Sequence, residues 1–317
     1  MLQRYLLLWL VACAPLAIYW SHAAPASFAW FADRWTLRAL IITTMFAIGM
    51  LLPRAEIRQV GRRWPTVLGG TAIQYISMPL LAIAAGKLFG FSGDYFVGLV
   101  MVGCVPGAMA SNILTLNARG NTSYSVSLTT SATLLSPLAV PIVMGLALAS
   151  DNAVDRLVLL RAAAWLLGIV VVPVIAGHWL GRSLPNHAVS IRKICPVVAN
   201  LVILWIIAAV VGKTSESLLS MPGLMLAALL MINLGGYLCG YGGGLLLQLD
   251  VPMRRALTLE VGMQNAGLGA ALASTLFAAK EAAIAPAIYA FGCMLTGTIL
   301  SRVWATRSLT ASASKET

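Results

Sequence analysis

Long apolar stretches recur along almost the whole chain, and they restrict it to folds that lie in a lipid bilayer. Crossing the hydrocarbon core takes about 20 apolar residues in a helix, and such stretches follow one another here with short polar connections. The chain is 60% hydrophobic and only 10% charged, whereas soluble domains carry about 25% charged residues. Transmembrane β-barrels show short segments of alternating polarity instead, so we expect an all-α polytopic membrane protein.

Ten transmembrane spans are predicted from these stretches. They cover residues 5–20, 37–52, 66–86, 96–118, 122–149, 157–180, 194–212, 221–247, 254–278 and 282–304. The first run, followed by small residues up to position 26, also fits a cleaved signal segment, but the repeat described below favours a retained helix. Residues 306–317 form a predicted cytoplasmic tail.

Basic residues are distributed unequally between the two sides of these spans. The side that carries both termini holds twice as many Lys and Arg residues as the opposite side. Because positively charged loops stay in the cytoplasm, we predict a multi-pass protein of the inner (plasma) membrane with both termini cytoplasmic. The net charge of +11 is explained by these loops, so the predicted partner is lipid and not nucleic acid.

Glu260 is the one acidic residue that this assignment leaves inside a span, the ninth. A carboxylate at membrane depth costs about 3 kcal/mol on insertion scales and by default marks a functional site. A structural ion pair is the alternative, but no Lys or Arg lies deep in any predicted span. Glu260 is therefore predicted to belong to a binding site.

Two spans are poor continuous helices, and they occupy matching positions in the chain. The fourth contains Pro106 and Gly107, and the ninth holds three glycines and three strongly polar side chains within ten residues. Proline and glycine interrupt helices, and such breaks in corresponding positions mark the midplane site of many transporters. Close helix packing is the alternative for the glycines alone. Breaks five spans apart predict two inverted five-helix repeats, residues 1–150 and 151–305.

Other polar groups in neighbouring spans suit a hard monovalent cation. Gln74 lies in the middle of the third span, and Ser125 and Thr129 lie four residues apart on one face of the fifth. The sequence has no cluster of His, Cys and carboxylates that would suit a transition metal. It also has no Walker motif that would indicate ATP-driven transport. No nucleophile–base–orienter set is visible either, so the sequence favours a transporter and not an enzyme.

Three motifs allow a family resemblance to be stated. They are PGAMASN at residues 106–112, ARGN at 118–121 and EVGMQNAGL at 260–268. Together they resemble the bile acid:sodium symporter family, in particular its bacterial ten-helix members, and the resemblance extends over nearly the whole chain. It implies a panel domain of spans 1, 2, 6 and 7 and a core domain of spans 3–5 and 8–10, in which the broken fourth and ninth spans cross.

The resemblance implies two sodium sites that share one carboxylate. One site would use the side chains of Ser111, Asn112, Ser125, Thr129 and Glu260. The other would use the side chains of Glu260, Gln74 and Gln264 with the backbone carbonyls of Val261 and Met263.

The resemblance also implies a substrate cavity between core and panel. Its predicted lining residues are Met109, Asn112, Asn265, Cys293 and Met294. Met109 stands where bacterial relatives that bind bile acids carry Thr, and Cys293 and Met294 stand where they carry a His-Asn pair. These differences remove hydrogen-bonding groups, so a smaller carboxylate, such as pantoate or a 2-oxoacid, is at least as good a candidate as a bile acid.

These observations predict a sodium-coupled symporter that imports an organic anion by alternating access. Two sodium ions on one carboxylate leave one net positive charge, which an anionic substrate would neutralise. The alternative function is a sodium/proton antiporter, in which Glu260 would exchange protons for sodium without any organic substrate.

Overall fold

The computed structural model describes residues 6–51, 64–148, 156–219, 221–276 and 281–313. In these ranges the regular elements are helices, apart from one isolated antiparallel bridge. The α-helices are α1 (Leu6–Ala23), α2 (Pro25–Phe31), α3 (Arg34–Leu51), α4 (Trp64–Leu88), α5 (Gly93–Cys104), α6 (Ala110–Asn117), α7 (Thr122–Leu148), α8 (Arg156–Leu166), α9 (Val172–Ser183), α10 (Ala188–Lys213), α11 (Ser215–Leu219), α12 (Leu224–Leu246), α13 (Val251–Gly262), α14 (Ala266–Leu276) and α15 (Ile284–Ala313).

Seven helical stretches of the described chain are long and apolar enough to cross a membrane. They are Pro25–Leu51, Trp64–Leu88, Thr122–Ala147, Ala163–Ser183, Pro185–Lys213, Leu224–Leu246 and Glu281–Thr306. The prediction of an all-α polytopic membrane protein is therefore confirmed. The three other predicted spans correspond to α1 and to the two segments that are broken into half-helices, so the count of ten stays a prediction.

Both predicted breaks are present in the structure. The fourth span divides into α5 and α6, because Val105 adopts an extended conformation ahead of Pro106 (φ −72°, ψ 155°), as a residue before proline usually does. The ninth divides into α13 and α14 at Met263, which is also extended (φ −115°, ψ 94°). Each half-helix is therefore too short to cross a bilayer by itself.

Glycines bring α9 against α3. A Cβ atom at Gly177 would overlap the carbonyl oxygen of Phe46, and one at Gly49 would overlap the carbonyl oxygen of Val174. Helix α3 packs also on α10, which in turn packs on α1. These helices form the spans that the resemblance assigns to the panel domain. Among the spans assigned to the core domain, α12 packs on α13 and α4. The panel and core domains themselves stay a prediction.

The structure extends some of the predicted elements. The second span starts earlier, through α2, and α15 continues to Ala313, beyond the predicted end of the tenth span at residue 304. A helix that leaves the bilayer needs no further apolar residues, so hydropathy alone marks its end too early. The predicted boundary between the repeats at residues 150 and 151, the first five residues and the last four lie outside the described residues.

Candidate functional site

The two unwound segments cross and pair with each other through their backbones. The N–H of Ala108 donates to the carbonyl of Met263 at 2.8 Å, and the N–H of Asn265 donates to the carbonyl of Pro106 at 2.8 Å. Backbone groups freed by a helix break must find partners in a membrane interior. The crossing supplies these partners, and it ties α5 and α6 to α13 and α14 at one point.

Glu260 lies in the last turn of α13, beside this crossing, and is fully buried. Its Oε2 accepts hydrogen bonds from the hydroxyls of Ser111 (2.6 Å) and Thr129 (2.8 Å). Its Oε1 has no hydrogen-bond partner among the described residues. Leaving an ionised carboxylate oxygen buried and unpaired is costly, so this oxygen is suited to a cation.

Gly107 faces the unpaired oxygen. A Cβ atom at this position would overlap Oε1 of Glu260 and would lie 2.5 Å from its Cδ. The close approach of the crossing backbone to the carboxylate therefore requires a residue without a side chain at position 107.

The residues predicted for the first sodium site lie around Oε2. The Thr129 hydroxyl lies 3.5 Å from Oδ1 of Asn112 and 3.1 Å from the carbonyl oxygen of Ser125. The hydroxyl of Ser125 is buried and lies 3.3 Å from the hydroxyl of Thr115 on α6. Thr115 was not predicted to belong to the site, because a single threonine inside an apolar run carries no distinctive signal.

The residues predicted for the second sodium site form a chain of amides behind the carboxylate. The Nε2 group of Gln74 donates to Oε1 of Gln264 at 3.1 Å. The Nε2 group of Gln264 donates in turn to the carbonyl of Val261 at 2.8 Å. The carbonyl of Met263 is engaged in the crossing, where it accepts from Ala108. The structure thus brings these residues together, with the oxygens of Gln264, Val261 and Met263 already in internal hydrogen bonds.

A cluster of polar side chains, also missed by the sequence analysis, is hydrogen-bonded to the end of α13. The carbonyl of Gly262 accepts hydrogen bonds from Nδ2 of Asn233 and from the hydroxyl of Tyr289, both at 2.8 Å. The hydroxyl of Thr296 donates to Oδ1 of Asn233 at 2.7 Å. Asn233 lies within a long apolar run, and polar side chains inside spans are rare enough to have been a usable signal.

Two cavities that share several lining residues border the crossing. The larger has a volume of about 220 Å³ and is lined by Met109 and Asn112, together with residues of α3, α7, α9 and α10. The smaller, about 50 Å³, is lined by Met109, Asn265, Cys293 and Met294. All five residues predicted to line a substrate cavity thus border one or both of these spaces.

The cavity walls carry no net charge of their own. Among the described residues that line either cavity, none is Lys, Arg, Asp or Glu. The described residues also contain no group of three or more His, Cys, Asp or Glu that could hold a metal ion together. Glu260 beside the crossing is therefore not matched by a charged side chain on the described walls of either cavity.

Comparison with known proteins gives a consistent result. Residues 39–221 match the model of the sodium bile acid symporter family. The chain is 32% identical over 309 residues to the uncharacterized sodium-dependent transporter YocS of Bacillus subtilis, covering 94% of this chain and 89% of that protein. It is 30% identical over 280 residues to the probable chloroplastic sodium/metabolite cotransporter BASS1 of Arabidopsis thaliana, covering 88% and 69%. With these matches and the motifs at the crossing, the chain belongs to the sodium bile acid symporter family.

Proposed function

We propose that this protein is a sodium-coupled symporter that imports a small organic anion across the plasma membrane by alternating access. The observation that carries the proposal is the geometry of Glu260, a fully buried carboxylate at the crossing of two broken helices. One of its oxygens is held by two hydroxyls, and the other is unpaired among the described residues. The family membership and the names of the relatives support the same function.

The ligands around the carboxylate fit sodium by their chemistry. Hard cations prefer oxygen ligands, and hydroxyls, carboxamides and backbone carbonyls are the groups found here. Ser111 and Thr129 now donate their hydrogens to the carboxylate, and their oxygens keep lone pairs with which to contact a cation. A bound cation would also offset the cost of burying the charge of Glu260. This cost is about 3 kcal/mol on insertion scales.

Charge balance connects two sodium ions with one anion. Two sodium ions that share Glu260 would leave one positive charge, which a monocarboxylate would neutralise. The half-helices α6 and α14 begin beside the cavities, at Ala110 and Ala266, and helix N-termini favour negative charge. A cycle that carries one net positive charge inward would gain about 2.3 kcal/mol per 100 mV of membrane potential.

The cavity size favours a small carboxylate. Sites for drug-sized ligands have volumes of about 300–1,000 Å³, whereas the larger cavity here measures about 220 Å³. A carboxylate of the size of pantoate or a 2-oxoacid fits such a space better than a steroid acid. The described linings combine amide and hydroxyl groups with aliphatic side chains, which suits a small molecule that has both polar and apolar parts.

The proposal is tested by comparing Glu260→Gln with the wild-type protein. Sodium, but not potassium, should raise the melting temperature of purified wild-type protein, and small carboxylates should raise it further only when sodium is present. Glu260→Gln keeps the shape of the side chain and should abolish both effects. Asp94→Asn, at an exposed position in the first turn of α5, is the matched control and should behave like wild type.

Two outcomes would contradict the proposal. Sodium stabilisation that survives in Glu260→Gln would remove Glu260 from the ion site. Proton release on adding sodium to the wild-type protein, with no stabilisation by any carboxylate, would support the sodium/proton antiporter instead.

A further inference from the structure

The carbonyl of Gly262, the last residue of α13, accepts two hydrogen bonds from side chains of other helices. Nδ2 of Asn233 on α12 and the hydroxyl of Tyr289 on α15 each donate to it at 2.8 Å. Both donors are buried, with Asn233 2% exposed and Tyr289 1% exposed. A carbonyl oxygen has two lone pairs, and here each lone pair has a donor. The two donors therefore fix the direction of this carbonyl.

Further contacts hold the two donors in place. The hydroxyl of Thr296 donates to Oδ1 of Asn233 at 2.7 Å and lies 3.1 Å from the hydroxyl of Tyr237. Nδ2 of Asn233 lies 3.4 Å from the hydroxyl of Tyr289. The ring of Tyr237 packs so closely on Gly262 that a Cβ atom at Gly262 would overlap it. This cluster therefore ties α12 and α15 to the end of α13.

The carbonyls on either side of Gly262 are held by fewer donors. The carbonyl of Val261 accepts from Nε2 of Gln264 at 2.8 Å. The carbonyl of Met263 accepts from the N–H of Ala108 at 2.8 Å. Each of these two oxygens thus has one donor among the described residues, and each keeps a lone pair with which to contact a cation. The Gly262 oxygen between them has both of its lone pairs engaged.

The direction of one carbonyl affects the next along the chain. Each peptide group is planar and shares a Cα atom with its neighbour, so a rotation of the Gly262 carbonyl displaces the carbonyls beside it. Groups that orient metal ligands without touching the ion are typically worth about ten- to a hundredfold in metal affinity. The cluster holds a carbonyl that lies directly between two proposed sodium ligands, and it therefore controls where those ligands point.

We propose that Asn233 and Tyr289 are positioning residues for the second of the two proposed sodium sites. By engaging the Gly262 carbonyl, they leave the carbonyls of Val261 and Met263 as the backbone ligands and hold both in place. This inference rests on the proposed function, because it requires that two sodium ions bind.

The first sodium site should not depend on this cluster. Ser111 and Thr129 donate directly to Oε2 of Glu260, and neither hydroxyl bonds to a member of the cluster among the described residues. A positioning role therefore predicts that loss of the cluster weakens one ion and spares the other. A role in stability alone predicts no change in sodium binding.

The test is equilibrium binding of radioactive sodium to purified full-length protein, which gives the number of bound ions and the affinity for each. Wild type should bind two ions. Tyr289→Phe keeps the aromatic ring and removes one donor to the Gly262 carbonyl. It should bind the first ion within threefold of the wild-type affinity and the second about ten- to a hundredfold more weakly.

The matched control is Tyr124→Phe. Tyr124 is also a buried tyrosine, 4% exposed, and its hydroxyl donates to a backbone carbonyl, that of Thr66, at 2.9 Å. This variant loses a hydrogen bond of the same kind away from the end of α13, so it should lose a similar amount of stability and bind both ions like wild type.

A second pair of variants covers the case in which Tyr289→Phe does not fold. Thr296→Val removes the hydroxyl that holds Oδ1 of Asn233 and nearly keeps the shape of the side chain. It should weaken the second ion in the same direction as Tyr289→Phe, although by a smaller factor. Thr296→Ser keeps the hydroxyl and should restore binding to the wild-type level.

The possible failures are distinguishable. Unchanged binding of both ions by Tyr289→Phe and Thr296→Val overturns the positioning role, and so does an equal loss for both ions. A single bound ion in wild type overturns this inference but leaves sodium coupling through Glu260 standing. No sodium binding by wild type overturns the proposed function and this inference with it.

Discussion

Replacing Gly107 by alanine tests the crossing without removing any proposed ligand. The added Cβ would overlap Oε1 of Glu260 and lie 2.5 Å from Cδ and 3.2 Å from Cγ of the same side chain. Non-bonded carbon and oxygen atoms do not approach so closely, so either the carboxylate or the crossing backbone must move. The backbone is held by the hydrogen bonds between the two unwound segments, and we therefore expect the carboxylate to move.

The size of the effect follows from what holds the carboxylate. Displacing it breaks its hydrogen bonds from Ser111 and Thr129, each worth about 1.5–3 kcal/mol because the acceptor is charged. Together these give about 3–6 kcal/mol, and about 1.4 kcal/mol corresponds to a tenfold change in affinity. Sodium affinity should thus fall by roughly a hundredfold or more, while the helices around the crossing stay folded.

The assay is a sodium titration of purified Gly107→Ala, read as the sodium concentration that gives half of the maximal thermal stabilisation. Gly292→Ala is the matched control, because a Cβ atom at Gly292 in α15 meets nothing within 4 Å. This control should titrate like wild type. A half-maximal sodium concentration for Gly107→Ala within threefold of the wild-type value would refute the assignment of the space around Oε1 to a sodium ion.

Three further substitutions test the surroundings of the site and the packing of the helices. Thr129→Val removes one of the two hydroxyls that donate to the buried carboxylate and should weaken sodium binding about ten- to a hundredfold. Thr130→Val is its control, because the Thr130 hydroxyl donates to the carbonyl of Val126 on its own helix, and sodium binding should be unchanged. Equal effects of the two substitutions in a sodium titration would remove the Thr129 hydroxyl from the ion site. Tyr289→Phe removes one of two donors to the carbonyl of Gly262 and should lower the unfolding free energy by about 0.5–1.5 kcal/mol, measured by denaturant titration in detergent, while an unchanged stability would show that this hydrogen bond is dispensable. Gly177→Ala forces α9 away from α3 and should lower the melting temperature clearly, whether or not sodium is present; a melting temperature equal to that of wild type would mean that the two helices can separate without cost.

Local sequence was sufficient to predict the helices of this fold and the breaks within them. In lipid, a backbone must satisfy its own hydrogen bonds, so a long apolar stretch implies a helix and a Pro-Gly pair inside it implies a break. The break at Pro106, the break after Glu260 and the membrane class all follow from neighbouring residues alone. The same reasoning identified Glu260, because the cost of a carboxylate at membrane depth does not depend on which helices surround it. The family resemblance then supplied the other side chains that are predicted for the site.

Only the tertiary structure decided how these groups meet. Ser111 and Thr129 reach Glu260 across 149 and 131 residues of sequence, and Gln74 reaches Gln264 across 190. The close contact that reserves position 107 for glycine is likewise a property of helices packed side by side. Helix periodicity assigns a residue to a face but not to a neighbour, because the neighbour is selected by the packing of the whole bundle. The sequence therefore determined that a carboxylate lies on a broken helix, and the fold decided that two hydroxyls hold one of its oxygens while the other has no hydrogen-bond partner among the described residues.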